Sequence, residues 1–324
     1  VDNRPYLFLD EIQNIKGWEK FVRRIADMKY RINITGSNSK MLSSEIASTL
    51  GGRFMIVDIY PYSFPEYLLA QGKNKNYLDI LSTKDRAEVL GMYDQYVKYG
   101  AFPELVGIRN KREFLNSIYQ TIYLGDIITR NKITNDFAVR LILKKIAESI
   151  TKPLSFNRLG NILKSAGAAI GKQTVINYVG YMMESYMLFT LQNYAAKLIQ
   201  KETSPKYYFM DTGLLGLMLM DCSSAQLENL VAIELIRRFG REKVFYFENN
   251  VEIDFYIPEE KLAIQVSMQV LDQIETRERE IGAFLKLRNF IEGARCILIT
   301  NSEEAELDCD GIHVSVVPAW KWLL

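Results

Sequence analysis

Two adjacent carboxylates, Asp10 and Glu11, follow directly on the apolar run Tyr6 to Leu9 in the stretch YLFLDE. A short continuous apolar run reads as a strand buried on both faces of a parallel sheet, so the acidic pair falls at its carboxyl end, where such sheets bind ligands. There Asp10 would hold a hydrated Mg2+ through water, and Glu11 would orient or deprotonate the water attacking a terminal phosphate. A solvated acidic turn at the end of a strand is the plainer alternative. Arg31 to Thr35 predicts a second short strand, ending in the small polar cluster Thr35, Gly36, Ser37, Asn38 and Ser39. On a strand beside the acidic one, Ser37 or Asn38 would read the γ-phosphate or the attacking water. The same cluster is also an ordinary turn capping a helix that begins near Lys40. Arg53, between a glycine pair and a predicted strand Phe54 to Ile59, could reach a phosphate as an arginine finger does, or be a solvated surface charge.

Stepping from these residues to the elements that must hold them, Ile15, Trp18, Phe21, Val22 and Ile25 recur at helical spacing, with Lys16, Glu19, Lys20, Arg23 and Arg24 between. This predicts an amphipathic crossover helix between the two strands. The segments YLFLDEIQNIKGWEKFVRRI, INITGSNSKML, LGGR and PYSFPEYL occur in that order within about sixty residues. Together they resemble the Walker B strand, sensor-1 strand, GR turn and P-x-S-F-x-E-(F/Y) signature of uncharacterised bacterial and archaeal AAA-type ATPases that carry a C-terminal domain of restriction-endonuclease-like fold. The resemblance implies ATP and Mg2+ as ligands. It also implies a G-x-x-x-x-G-K-(S/T) loop upstream of the acidic strand, and the sequence has none. In AGAAIGKQT, Ala166 to Thr174, the first glycine and the hydroxyl after Lys172 are both missing, and the segment lies downstream, so Gly171 reads as a turn before a helix. The expectation is a fragment that begins after its phosphate-cradling half and binds no nucleotide properly by itself.

From Pro65 to about Arg130 the chain is helical and rich in tyrosine, which suits a helical lid on the ATPase core. Within it YGAFPELV predicts a turn fixed by Gly100 and Pro103, and Tyr119 and Tyr123 read as core. Between about Phe137 and Leu219 three helices precede two strands. Val139 to Ile150 makes the first helix, Ser155 caps the second, and the third starts near Lys172. LFTLQNY and KYYFMDT are the strands, giving the pattern of a winged helix whose third helix could present Lys172, Gln173, Thr174 and Asn177 to a DNA major groove. Positive charge there is thin for a duplex binder, and packing or partner docking explains the module as well.

From about Ala225 the order becomes helix, three strands, helix, two strands, the arrangement of restriction-endonuclease-like domains. In that fold a metal-dependent nuclease needs an acid ending one strand and (D/E)-x-K on the next. Glu228 lies on the helix and Asp254 matches the first acid, while Gln265 and Ser267 stand where the second acid and the lysine belong. Glutamine brings no charge and serine no ammonium, which predicts a nuclease fold without cleavage. A working nuclease with a migrated site is the remaining reading. The charged run from Asp272 to Arg288, with Glu275, Arg277, Glu278, Arg279 and Glu280, predicts a helix with a solvated face, packed on the sheet through Leu271, Ile274, Ile281, Phe284 and Leu285.

Composition narrows the classes further. A formal net charge of +1 excludes a strongly basic surface overall, so any nucleic-acid contact is local. Cys222, Cys296 and Cys309 are far apart and His313 is the single histidine, which argues against a zinc site, a disulfide framework and a Ser-His-Asp hydrolase. With no apolar run near 18 residues and no signal-like start, the expectation is a soluble cytoplasmic protein with no membrane contact. The expected class is multidomain α/β. Residues 1–68 give part of a P-loop NTPase parallel sheet, 69–135 the lid, 136–220 the winged helix, and 221–324 the degenerate nuclease-like domain. ATP turnover would be coupled to an unidentified protein or nucleic-acid partner, with an oligomer possible. The alternative is a non-enzymatic binding module.

Overall fold

The computed structural model describes residues 5–37, 50–51, 54–73, 82–168, 170–221 and 223–324, without the side chains of Gln13 and Glu202. Candidates Asn38 and Arg53, and the helix expected near Lys40, fall outside them. The chain is mixed α/β, with a two-stranded and an eight-stranded sheet among the described residues. In the small sheet β1 (Tyr6–Leu9) and β2 (Arg31–Ile34) run parallel, joined through α1 (Trp18–Asp27). Trp18 and Val22, one turn apart, close with Ile12 over Leu9, Ile32, Ile34 and Leu50.

Three expectations for this first segment need correction. β1 is not buried on both faces: its residues alternate, and Phe8 is 76% exposed. Ile15 and Phe21 are likewise exposed: Ile15 precedes α1 and is not part of it, and Phe21 lies off the contact stripe that Trp18 and Val22 form. Phe54 to Ile59 is not a strand; it carries no ladder to a neighbour among the described residues, and Met55 and Ile59 are 92% and 88% exposed.

The helical middle forms by local rules. Ser63 and Glu66 make a reciprocal capping box at α2 (Phe64–Ala70), and Ser82 and Asp85 make another at α3 (Thr83–Tyr99). After α4 (Lys111–Gln120) the helix widens to π geometry over Thr121–Thr129, with Arg130 donating to the Gly125 carbonyl at 3.1 Å. α5 (Asp136–Ala147), α6 (Phe156–Ser165, capped by Ser155) and α7 (Lys172–Glu184) follow. Tyr123 is core, and Tyr119 stacks on it with ring centres 5.4 Å apart.

β3 (Leu188–Asn193), α8 (Leu198–Thr203) and β4 (Lys206–Phe209) come next, the two strands pairing antiparallel. Then α9 (Thr212–Met218), α10 (Ser223–Phe239), β5 (Phe245–Glu248), β6 (Glu252–Ile257), β7 (Leu262–Ser267) and α11 (Ile274–Leu287) lead to β8 (Arg295–Thr300), β9 (Ala305–Cys309), β10 (Ile312–Pro318) and α12 (Ala319–Trp322). Strand order in the large sheet is β4-β3-β5-β6-β7-β8-β10-β9. The β3–β4 hairpin of the winged-helix segment is thus one edge of the sheet built by the last hundred residues. One buried cluster runs from Phe64 to Leu323, so the expected boundary at 220/221 does not separate two cores. A second cluster lies under α11, where Ile281, Phe284 and Leu287 are buried, whereas Ile274 is exposed and Glu280 is buried, opposite to expectation.

The YGAFP turn has a cause deeper than turn chemistry. Gly100 takes φ +79°, and a Cβ there would fall 1.9 Å from Asp211 Oδ1. Asp211, fully buried, accepts from Ala101 N–H at 2.7 Å and Gly213 N–H at 2.8 Å, tying the end of α3 to the start of α9. Gly100→Ala therefore combines left-handed strain with a clash against a carboxylate that cannot move. A loss of about 3 kcal/mol in chemical denaturation is expected, and a loss under about 1 kcal/mol would show that Asp211 is free to shift.

Candidate functional site

Two groups of acidic side chains stand out, one at the tips of the small sheet and one inside the large one. At the first, Asp10 leaves β1 and Glu11 turns back in the left-handed region at φ 47°, an uncommon place for glutamate. Thr35 continues the ladder for one more residue by donating its N–H to the Leu9 carbonyl at 2.9 Å. Its hydroxyl donates to Asp10 Oδ1, and the Glu11 N–H points to the same hydroxyl at 3.4 Å. Ser37 donates to Glu11 Oε2 at 3.0 Å. Asp10, Glu11 and Ser37, read separately from the sequence, thus meet at the carboxyl ends of two adjacent parallel strands. Thr35 was missed as a functional residue; its signal was a hydroxyl on the last step of a strand that neighbours an acidic one.

Asp126, in the π-helical turn, is near enough to feel the Glu11 charge. Asp126 pairs with Arg130 at 2.7 Å and is partly buried. Burial raises its carboxyl above the usual range, Arg130 opposes that, and the nearby Glu11 carboxylate adds to the rise. The exposed Asp10 carboxylate, oriented by Thr35, suits a hydrated Mg2+ held through water. The residues that would cradle the phosphates are not in the sequence.

At the second group an ammonium sits among carboxylates. Lys206, on β4, is 0% exposed, and its Nζ lies 2.9 Å from Glu252 Oε1, 3.6 Å from Asp254 Oδ1 and 3.8 Å from Glu228 Oε1. The Glu252 contact is an ion pair whose angles fall short of a hydrogen bond. The Tyr246 ring lies 5.4 Å away. Burial pulls the lysine pKa down, but the three acids outweigh it and hold the group above its ordinary value, hence charged. Burial and the Asp254 charge push Glu228 upward; burial likewise raises Asp254, against the pull of Lys206. Tyr208 donates to Glu228 Oε1 at 2.9 Å. Glu280 is also raised by burial, with Arg279 bonded to it at 2.6 Å.

The expected nuclease positions come together only in part. Glu228 and Asp254 share this cluster, but Gln265 and Ser267 do not complete it. Asp254 N–H donates to Gln265 Oε1 at 2.8 Å, and Gln265 Nε2 donates to the Glu252 carbonyl at 3.2 Å, so both ends of that amide clamp β6. Asp254 Oδ2 is taken by the Val266 N–H at 2.9 Å, and Ser267 donates to the Gln269 carbonyl at 3.1 Å. The nuclease metal does not fit these residues, since an ammonium stands between the acids and the amide faces backbone. Among the described residues no group of three or more His, Cys, Asp or Glu is arranged to hold a metal ion. Lys206 and Glu252 were missed, because nothing in sequence separation 206 to 254 announces the contact.

At the start of α7, Lys172, Gln173 and Asn177 are exposed and Thr174 is half-buried, with Gln173 Nε2 donating to Asn177 Oδ1 at 3.1 Å. No helix among the described residues is long and apolar enough to cross a membrane.

Residues 1–68 match the AAA domain family, similarity to a P-loop NTPase-type family. Residues 90–225 match a domain of unknown function, DUF8612. The uncharacterised protein MJ1544 of Methanocaldococcus jannaschii is 33% identical over 337 aligned positions, which take in 100% of this chain and 76% of that protein. An uncharacterised protein of Haemophilus influenzae is 29% identical over 325 positions, 97% of this chain and 77% of its own length.

The clamp by Gln265 is open to a direct test. Gln265→Leu keeps the volume but leaves Asp254 N–H and the Glu252 carbonyl without partners. Equilibrium unfolding should register a loss of about 2 kcal/mol or more, and an unchanged midpoint would mean the amide is not needed there.

Proposed function

The chain belongs to the family of the archaeal protein MJ1544, and from that premise we propose that it serves as an AAA-type ATPase whose nucleotide state is passed to a partner through its remaining residues. The observation that carries this reading is the pairing of Asp10 with Thr35 and Glu11 with Ser37 at the tips of parallel strands. Asp10 would hold Mg2+ through water, and the ion would draw charge from the β- and γ-phosphates. Glu11, oriented by the Ser37 hydroxyl, would hold the attacking water and take its proton. Ser37 would sense the terminal phosphate, with Asn38 as the alternative sensor and Arg53 as the finger.

Two contacts support coupling. Asp126 on the π-helical lid is raised in part by the Glu11 charge, so a change of charge at the tip would bear on the Asp126–Arg130 pair. The chain that leaves the small sheet is held by α10: Arg237 donates to the Pro61 carbonyl at 2.7 Å and lies over the Tyr60 ring at 5.6 Å. Residues 221–324 act in this scheme as a restriction-endonuclease-like domain that does not cleave, and the partner is a protein or nucleic acid. A second reading, a non-enzymatic binding module, draws on the exposed polar start of α7, where Lys172, Gln173 and Asn177 would face nucleic acid.

In the full gene product, Glu11→Gln should lower ATP turnover by about 100-fold or more while ATP binding stays within a few-fold; a wild type that neither binds nor turns over ATP favours the binding module. The 324-residue chain should show no micromolar ATP affinity in calorimetry. Supercoiled plasmid incubated with the chain and Mg2+ or Mn2+ should stay intact, and cleavage that Asp254→Ala abolishes would overturn the inactive-nuclease reading.

A further inference from the structure

Between α4 and the end of α9 lies an open cleft of about 450 Å3, with Arg112, Glu113, Asn116 and Tyr119 on one wall and Leu217 and Met218 on the other. Arg112, Asn116 and Tyr119 are four and then three residues apart, one stripe of α4, so a guanidinium, an amide and a phenol ring face the same space. We propose that this cleft binds a free nucleoside monophosphate, with the base stacked on Tyr119 and the phosphate held by Arg112. Residues 1–68 contribute nothing to its lining, so the site does not depend on the ATPase reading.

Arg112 and Asn116 are exposed, and neither makes a hydrogen bond or ion pair among the described residues, so the fold does not use them. Their neighbours differ: Lys111 reaches the Tyr67 hydroxyl at 3.4 Å, and the Asn110 amide donates to Glu113 Oε2. The Tyr119 ring stacks on Tyr123 with centres 5.4 Å apart and planes 22° from parallel, and a base on its cleft side would continue that stack. Leu217 and Met218 supply the apolar wall opposite, the unbranched thioether adapting to the shape of the ring. The Asn116 amide offers both a donor and an acceptor to the polar edge of a base. A guanidinium forks onto two oxygens of one phosphate, which a lone lysine would not do. The Glu113 carboxylate on the same wall limits the charge the cleft tolerates, so a monophosphate is accepted where a triphosphate is repelled. The volume falls at the low end of the range for small-ligand clefts, roughly 300–1,000 Å3, which suits a single nucleotide.

The test is an NMR titration of the 324-residue chain with AMP as the probe and adenosine, ribose 5-phosphate and ATP beside it. AMP should bind with a dissociation constant of about 1 mM or tighter, as one stacked base and one phosphate contact give. Ribose 5-phosphate should bind at least about tenfold more weakly, since it lacks the base, and ATP no more tightly than AMP. Tyr119→Leu should weaken AMP and adenosine alike by about tenfold, and Tyr119→Phe should keep both. Arg112→Gln should weaken AMP by about fivefold or more and leave adenosine unchanged. Arg112 is exposed, so this second variant keeps the site testable even if Tyr119→Leu does not fold. An AMP dissociation constant above about 1 mM, ribose 5-phosphate or ATP binding as well as or better than AMP in a manner indifferent to Tyr119→Leu, or AMP binding unchanged by Arg112→Gln overturns the proposal. A single-stranded oligo(A) that binds more tightly than AMP overturns the assignment to a free nucleotide.

Discussion

Most of the structure answers to one constraint: α10 is buried over eleven consecutive residues, Gln226 to Ile236, and three kinds of polar side chain are buried with it. Buried polar groups must find partners in place, because an unpaired one costs about 1–3 kcal/mol. Asn229 meets this by bonding both ends of its amide to the Phe209 backbone, at 2.7 and 2.8 Å, as a third strand would. Gln226 donates to the Thr212 carbonyl at 3.1 Å, and Glu234 takes Arg237 and Arg238. Each bond fixes a different neighbour: the end of β4, the start of α9, and the seam to α12, where Arg238 stacks on Trp322 at 4.4 Å. The register of β4 is therefore set by a helix twenty residues later, and that register is what delivers Lys206 to the acids.

The same helix explains why the aromatic-rich middle cannot fold as a loose appendage. Phe64 and Tyr67 from PYSFPEYL pack at a tilt against Tyr96 with ring centres 5.3 Å apart, and the Tyr96 hydroxyl donates to the Tyr62 carbonyl at 2.9 Å. Arg237 holds the first residue of that motif, and Asp211 holds the turn just after α3. Movement of residues 54–62 is thus resisted by α10, while among the described residues the core of the small sheet has three buried side chains. A push on this segment has a rigid element to act on.

Much of this was legible locally and little of it globally. Ser155 before Phe156 announced a helix start because capping is decided within a few residues; Ser63 with Glu66 is the same kind of local signal and went unread. The acidic pair and the Ser37 cluster could be read because strand tips concentrate polar residues. Strand β9 was overlooked although Asp310-Gly311, both at positive φ, is a strong hairpin signal; AELDC alternates too weakly to announce itself. Phe54 to Ile59 misled in the other direction, since apolar content alone cannot say whether a neighbour exists to pair with. Gln265 was recognised as a lost charge, but that its amide bridges two backbone groups of β6 depends on the register of β6 against β7. Lys206 was read only as the first residue of the strand KYYFMDT, and only the fold shows it to be interior.

Why an interior lysine is tolerated follows from counting charge. One ammonium faces three acids, of which Glu252 is half exposed and shares its charge with water. Glu228, deepest and beside Asp254, has its pKa raised by burial, so it holds a proton more readily and leaves the lysine nearly matched by Asp254 and Glu252. The Tyr208 hydroxyl gives Glu228 a donor in either state. Replacing such a cluster by apolar residues can be neutral or stabilising, whereas removing one partner is costly. The lysine's contribution is therefore less a net gain in stability than a fixed address: β4 cannot slip by one residue without sending an ammonium into the core on the wrong face.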